Sequence, residues 1–427
     1  MAAEIRGTKF IQSLSGAHEY RLTSNGLRVL IIPKDAVPVV GVMVTYHVGS
    51  RNEVPGTTGA THILEHLMFK GSKHFDPREG KGTADIIESK GALMNATTWN
   101  DRTNYYEVIG KEHLSGVLAL EADRFRNLLL RPEDLLAEMV VVRNEYERWK
   151  NDPEQQLSAR LWEEAFRVHP YHYPTIGTKQ DIEETNVDEL REFYDTFYWP
   201  KNATVTVAGD VDVETVLTEV LRVFGDIPAG DAPEYDIPKE PQQTEERTFI
   251  YERPGTVHAL GIGYKIPEGT HPDSPALSTL SALLIEGKGS ALNRAFVDNS
   301  YATSVHGMLS RFHDPGLFEI EITLTDDTTH ETGMKVFDEE INRLASGGMS
   351  EAEFLRARTF SSAQAIYRRA AISDFINTLN ESLAMGDWTD IMNFPKRIEA
   401  VSMKDLERVA GQYLTAKTRT VGHLVAI

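Results

Sequence analysis

Two histidines and a glutamate lie within five consecutive residues, His62-Ile63-Leu64-Glu65-His66, and the segment around them favours a helix. At about 100° per residue, His62 and His66 lie one turn apart on one face, with Glu65 beside them. Two imidazoles at this spacing can bind one tetrahedral metal ion, and the glutamate then lies next to the open coordination position. The pattern therefore predicts one bound divalent cation, Zn²⁺ in the first place.

The neighbours of these residues strengthen the metal prediction. The pattern is an inverted form of the zinc-protease helix motif. In a chain with 14 histidines, chance alone produces such a pentapeptide in roughly a few per cent of cases, so the motif by itself does not establish a zinc site. The rest of the segment is apolar, and a buried helix with three ionisable residues on one face needs compensation, which a metal supplies. We expect Thr57 or Thr58 to cap the helix and Gly71 to end it.

A catalytic zinc takes three protein ligands, so one more is needed from a different element. A long helix is predicted from Pro132 to about Lys150, and its acids Glu138 and Glu145 lie two turns apart on one face. We expect Glu145 to be the third ligand and Glu138 to accept a hydrogen bond from a ligand histidine. The alternative, that both belong to a solvated helix face, is equally compatible with the spacing.

Glu65 is the predicted general base. A glutamate beside the ion can accept a proton from the zinc-bound water, whose pKa the metal lowers to roughly 7, and pass it to a leaving amine.

Composition excludes several classes of protein. The chain has 427 residues and a net charge of 44 − 64 = −20, without the basic surface that nucleic acids or anionic membranes require. It has no cysteine, which excludes disulfides, thiolate metal sites and cysteine nucleophiles. No stretch of 18 apolar residues predicts a membrane span, and no signal peptide is evident. We expect a soluble protein of the cytoplasm, or of the periplasm if a leader has been removed.

The two halves of the chain repeat each other. Residues 41–46 resemble 259–264, and 131–134 resemble 349–352, both at an offset of 218 residues. At that offset Leu280 and Leu284 replace the two histidines, so only the first half carries the ligands. We predict an α+β fold of two duplicated domains, each a largely antiparallel sheet with helices packed on one face. The expected domains are 1–230, which binds zinc, and 248–427, with 231–247 as linker.

The segment Thr57–Gly71 resembles the pitrilysin or insulinase-like zinc peptidases, in particular the branch of the mitochondrial-processing-type peptidases and their bacterial relatives. The resemblance continues through most of the chain, at residues 95–98, 103–107, 120–124, 169–171, 202–204 and 209–210. Carried over by position, it implies that His62, His66 and Glu145 are the zinc ligands, Glu65 the base and Glu138 the acid behind them. It also implies that 92–98 is an edge strand, where Asn95, Ala96 and Thr97 bind the peptide backbone.

One departure from the family concerns the second domain. Family members that act alone place an arginine and a tyrosine there, against the substrate backbone, whereas the aligned positions here hold Ala291 and Thr303. Arg294 and Tyr301 are nearby but out of register. The resemblance therefore implies a partner, a homologous metal-free subunit that carries this pair.

These observations predict a zinc endopeptidase that cleaves short or unfolded peptides in an enclosed chamber. It should need no ATP, because the phosphate-binding Gly-x4-Gly-Lys-Ser/Thr motif is missing. Two alternatives stay open, a non-catalytic scaffold subunit of the same fold and a zinc hydrolase acting on a non-peptide amide.

Overall fold

The computed structural model describes residues 5–34, 37–231 and 236–427. These residues form two compact units, each assembled from separate parts of the chain. The first unit comprises the described residues of Met1–Tyr146, Pro174–Ile237 and Arg369–Ala384. The second comprises Glu147–Tyr173, Pro238–Arg368 and Met385–Ile427.

The strands of the described residues are β1 (Thr8–Leu14), β2 (Ala17–Leu22), β3 (Arg28–Pro33), β4 (Val39–Tyr46), β5 (Leu93–Thr98), β6 (Thr103–Gly110), β7 (Ala203–Gly209), β8 (Arg247–Arg253), β9 (Ala259–Ile266), β10 (Ala302–Leu309), β11 (Gly316–Leu324) and β12 (Arg419–Ala426). The α-helices are α1 (Ala60–Leu67), α2 (Thr83–Ile87), α3 (Leu114–Arg126), α4 (Pro132–Asn151), α5 (Pro153–Ala165), α6 (Lys179–Glu184), α7 (Val187–Phe197), α8 (Val213–Phe224), α9 (Ser274–Leu284), α10 (His330–Ala345), α11 (Glu351–Tyr367), α12 (Ile372–Ala384), α13 (Asp390–Glu399) and α14 (Met403–Tyr413). None of the helices in the described part of the chain is both long and apolar enough to cross a bilayer.

The two sheets share one strand order. The first unit has the order β1-β2-β3-β7-β4-β6-β5, and the second has β10-β11-β9-β12-β8. Reversed, the second sheet matches the β3-β7-β4-β6-β5 part of the first, and in each the one parallel pair (β3 with β7, β8 with β12) lies at the equivalent position. The other pairs among the described strands are antiparallel. The predicted α+β fold of two duplicated, largely antiparallel domains is confirmed.

In the first unit, helices cover both faces of β4. Tyr46 points towards α3, where its ring lies 5.0 Å from the ring of Phe125. On the opposite face, a Cβ atom at Gly41 would come within 2.7 Å of Ile372 on α12. The glycine thus lets α12, a helix from the second half of the chain, lie close against the sheet.

The second unit has the equivalent arrangement on β9. Tyr264 stacks on Phe337 of α10 on one face. On the other face, a Cβ atom at Gly261 would lie 3.0 Å from Leu157 of α5, a helix from the first half of the chain. The predicted packing of helices on one face of each sheet is therefore incomplete, because a helix also lies on the other face, α12 in the first unit and α5 in the second.

The compact units therefore cross the domain boundary expected at residues 231–247. Residues 147–173 precede that boundary but belong to the second unit, and residues 369–384 follow it but belong to the first. Of the expected linker, residues 232–235 lie outside the described part of the chain, and residues 236–246 form neither helix nor strand.

Candidate metal centre and active site

The histidine-bearing helix α1 begins at Ala60, and its cap differs from the expected one. Gly59 is the N-cap residue, with a left-handed φ of 86°. The buried carboxylate of Glu53 accepts hydrogen bonds from the amides of Gly59 (2.9 Å) and Thr61 (2.8 Å). The predicted caps, Thr57 and Thr58, are wrong, and the Thr58 hydroxyl donates instead to Asp181 at 2.5 Å.

The apolar side of α1 holds the helix in the first unit's core. Ile63, Leu64 and Leu67 are buried there, whereas the two histidines and Glu65 are half-buried. The helix ends at Leu67, earlier than the expected stop at Gly71. Burial of one side thus fixes the helix rotation, so that the chemically active residues lie on the other side.

Three potential ligand atoms converge on one point. His62 Nε2 and His66 Nε2 are 3.2 Å apart. Glu145 Oε2, from α4, lies 3.6 Å from His62 Nε2 and 3.5 Å from His66 Nε2. Among the described residues, this is the one group of three such side chains whose ligand atoms lie within 4.8 Å of one another.

This triangle fits zinc. In a tetrahedral site with bonds of 2.0–2.1 Å, neighbouring ligand atoms are separated by about 3.3–3.4 Å, which is close to the three separations observed. Two neutral imidazoles and one carboxylate are also a ligand set found in catalytic zinc sites. A zinc ion bound here would be held by His62, His66 and Glu145.

Glu138 fixes the orientation of His66. The carboxylate is buried and accepts a 2.8 Å hydrogen bond from His66 Nδ1. It also forms an ion pair with Lys70. Because the Nδ1 proton is held by Glu138, the lone pair of His66 Nε2 is directed at the triangle.

The pKa values of these groups follow their surroundings. Burial, reinforced by the neighbouring His66, lowers the pKa of His62 to about 4. Burial alone would lower the pKa of His66, but the hydrogen bond to Glu138 and the charges of Glu145, Glu138 and Glu65 together raise it. Burial would raise the pKa of Glu138, and the bonds from His66 and Lys70 outweigh it, so this pKa is lowered. The two pKa shifts run in opposite directions, as expected when Glu138 and His66 stabilise each other's charged forms.

Glu65 lies on the same side of α1 as the two histidines. Burial raises the pKa of its carboxyl, against the hydrogen bond from Thr98 and the charges of His66 and Arg102. Thr98, at the end of β5, donates its hydroxyl proton to Glu65 Oε2. A carboxylate with a raised pKa beside three potential metal ligands is a candidate general base.

The predicted peptide-binding residues lie on β5, at one end of the first sheet. Asn95 is exposed, and its side-chain oxygen accepts the amide proton of Ala96 at 2.9 Å. The Thr97 hydroxyl donates to Asn104 at 2.7 Å. In the described part of the chain β5 pairs with β6 alone, so its second edge is free to pair with an extended peptide.

Several residues that carry the family resemblance stabilise the site rather than line it. Arg124 is buried and binds two buried carboxylates, Glu107 at 3.1 Å and Glu121 through Nε at 3.0 Å. Asp123 accepts hydrogen bonds from Ser72 (2.5 Å) and from the amide of His74 (2.8 Å), which fixes the turn after α1. Burial and the charge of Glu121 raise the pKa of Glu107.

Ala291 and Thr303, which the resemblance aligns with an arginine and a tyrosine, lie in the second unit. Ala291 is buried in the core of that unit, and the Thr303 hydroxyl donates to the Thr323 carbonyl at 3.2 Å. Arg294 is paired with Glu353, and Tyr301 is partly exposed.

Sequence reasoning missed Glu53, Thr98 and Arg102. Thr98 and Arg102 form hydrogen bonds with residues distant in the sequence, and Glu53 lies in a loop. Neither periodicity nor a motif identifies such residues. A polar residue at the end of an edge strand beside the metal helix, such as Thr98, was the one signal present.

The comparisons with known proteins identify the family of this chain. Residues 28–179 match the family model described as insulinase, peptidase family M16, and residues 185–360 match the model described as peptidase M16 inactive domain. The zinc protease PqqE of Helicobacter pylori is 32% identical over 412 residues, covering 94% of this chain and 91% of that protein. The chain belongs to peptidase family M16.

One further relative and one solved structure support the assignment. A probable mitochondrial-processing peptidase subunit beta of Arabidopsis thaliana is 25% identical over 417 residues, covering 94% of this chain and 77% of the relative. The crystal structure of a protease from Helicobacter pylori superposes with a TM-score of 0.90 at 30% identity, covering 96% of this chain and 100% of that one. The predicted family is confirmed. Relatives that match more than 90% of this chain include proteins named as zinc proteases.

Proposed function

We propose that the protein is a zinc metalloendopeptidase that binds one Zn²⁺ through His62, His66 and Glu145. The observation that carries the proposal is the triangle of ligand atoms, 3.2–3.6 Å on each side, with Glu65 on the same helix face. The names of the relatives, which include zinc proteases, support the same class of reaction.

The metal and the protein have separate tasks. Zinc held by three protein ligands supplies a Lewis acid that makes water a nucleophile near neutral pH and polarises a carbonyl. Glu138 keeps His66 in the tautomer that leaves Nε2 available. Glu65 accepts the proton of the attacking water and delivers it to the leaving amine, while Thr98 holds its carboxylate.

The substrate in this proposal is an extended peptide that pairs with the free edge of β5. Backbone hydrogen bonds would hold it with little dependence on side chains. Asn95, Ala96 and Thr97 lie on this strand. Short or unfolded peptides meet that requirement, because folded proteins rarely offer an unpaired strand. Enclosure in a chamber and independence of ATP stay predictions.

We also propose a homologous partner subunit that supplies the missing arginine and tyrosine. The support is the absence of both residues at Ala291 and Thr303. A relative is named as a subunit, the probable mitochondrial-processing peptidase subunit beta. The partner would be a metal-free chain of the same family.

A scaffold role is the alternative, since the model matching 185–360 is described as inactive. That match covers a part of the chain without the metal triangle, which lies at residues 62–145. A subunit without catalysis has no use for Glu65 beside three preassembled ligands, so we favour the enzyme.

The test is a digest of a peptide library, with metal content measured on the same samples. Glu65→Gln should keep one zinc per chain and lose about 10²–10⁴-fold in turnover. Glu183→Gln, an exposed acid on α6, is the matched control and should behave as wild type. A zinc-loaded chain that cleaves no peptide, alone or with a homologous chain from the same genome, would contradict the proposal.

A further inference from the structure

Thr97 and Thr98 are consecutive residues that make contacts on opposite faces of the first sheet. Side chains alternate along a strand. The Thr98 hydroxyl donates to Glu65 on the α1 side. The Thr97 hydroxyl instead meets Arg102, whose NH1 group donates to it at 2.6 Å, and Asn104 at 2.7 Å. The end of β5 is therefore tied to the base on one face and to a polar network on the other.

The first part of that network runs to α12 through Asn380. The side-chain amide of Asn380 donates to Asn104 Oδ1 at 3.0 Å. Its oxygen accepts from the Thr45 hydroxyl of β4 at 2.7 Å. Asn380 is 1% exposed, and Asn104 and Thr45 are fully buried. Buried side-chain hydrogen bonds of this kind specify a single arrangement, because breaking one leaves a buried polar group unsatisfied.

The second part of the network reaches the neighbouring residue of α12. Arg102 is 8% exposed. Its NH1 group donates to the Thr97 carbonyl at 2.9 Å, and its Nε donates to Glu381 Oε1 at 3.1 Å. One guanidinium thus joins the backbone of β5 to a carboxylate 279 residues away in the chain.

We infer that Asn380 and Glu381 are positioning residues that hold the peptide-binding strand in place against the general base. Both contacts converge on Thr97, the residue before the one that touches Glu65. A shift of Thr97 would move the free edge of β5 and the Thr98 hydroxyl together. The inference rests on the proposed peptidase function and deepens it, since it assigns part of the substrate site to a helix from the second half of the chain.

A simpler role is that Glu381 only neutralises a buried arginine. That role predicts a general loss of stability when Glu381 is changed, with no preference for β5 or for substrate binding. The positioning role predicts a local loss, in the exchange of β5 amides and in KM.

The experiment compares Glu381→Ala with Asp374→Asn, an exposed acid on the same helix, in the full chain and with the partner subunit wherever turnover needs it. Hydrogen exchange at residues 93–98 should rise about tenfold in Glu381→Ala, as expected when the two hydrogen bonds from Arg102 to a half-exposed carboxylate are lost. KM should rise by a similar factor and zinc content should stay at wild type, whereas kcat should fall only as far as the Thr98 hydroxyl is displaced from Glu65. Asp374→Asn should match wild type in every measurement.

Equal exchange at 93–98 in both variants would overturn the inference, as would a fall in kcat at unchanged KM. If Glu381→Ala does not fold, Glu381→Gln is measured in the same way, because it keeps an acceptor for Arg102 and removes the charge. The exchange measurement needs no turnover, so it decides the role of α12 even if the wild type cleaves no peptide and the proposed function fails.

Discussion

Replacing Glu138 tests how much the acid behind His66 contributes to metal binding. The carboxylate accepts the His66 Nδ1 proton at 2.8 Å and is 6% exposed. Glutamine can still accept that proton, but without charge. Because a hydrogen bond to a charged group contributes about 1.5–3 kcal/mol and a neutral one about 0.5–1.5 kcal/mol, Glu138→Gln should cost about 1–1.5 kcal/mol, or roughly tenfold in zinc affinity. Glu138→Ala should cost up to about 100-fold.

The assay is competition for zinc with a chelator of known affinity, with Glu147→Gln on the same helix as an exposed control. The loss should shrink as the pH falls. Glu138 raises the pKa of His66, so a proton competes with zinc for His66 at a higher pH in the wild type than in Glu138→Gln. A variant that binds zinc as tightly as Glu147→Gln at neutral pH would refute the reasoning.

Three further substitutions test the stability of the fold. Burial lowers the pKa of Lys265 to about 7. At pH 8 the side chain is protonated in the unfolded state and must lose that proton on folding, which favours the unfolded state. Lys265→Met should therefore raise the free energy of unfolding at pH 8, measured by urea denaturation. Burial raises the pKa of Glu53 from 4.5 to about 7, despite its hydrogen bonds from Thr61 and Gly59. Stability from this group therefore falls as the pH rises from about 5 to 7, and Glu53→Gln should flatten that dependence in the same titration. Gly59→Ala and Gly16→Ala start from nearly equal φ values, 86° and 85°, but a Cβ at Gly59 would lie 2.7 Å from the Ile176 carbonyl oxygen whereas Gly16 has open space. Gly59→Ala should lower the thermal midpoint by several degrees more than Gly16→Ala, and equal shifts would refute the steric explanation.

The parts of the site that lie within one helix could be predicted from the sequence. Helical spacing alone placed His62, Glu65 and His66 on one face of α1. It also placed Glu138 and Glu145 on one face of α4. Whether α1 and α4 contact each other depends on tertiary packing, which residue spacing does not reveal. The alternative that Glu138 and Glu145 lie on a solvent-exposed face of α4 therefore stayed open. The resemblance to a known family supplied that step.

Local sequence patterns could not reveal which sheet α5 and α12 pack against. A periodic segment predicts that α5 and α12 are helices, but their contacts with β9 and β4 depend on glycines such as Gly261 and Gly41, whose importance appears only when a helix lies against them. For the same reason Glu53 was missed as the residue that binds the first amides of α1, and two threonines with good capping propensity were predicted instead.

The most direct measurement is an anomalous difference map at the zinc edge from crystals of the chain purified with zinc. One peak per chain should lie about 2.0–2.2 Å from His62 Nε2, His66 Nε2 and a Glu145 oxygen. A peak elsewhere, or Glu145 turned away with no other side chain in its place, would contradict the zinc centre on which the proposed hydrolysis depends.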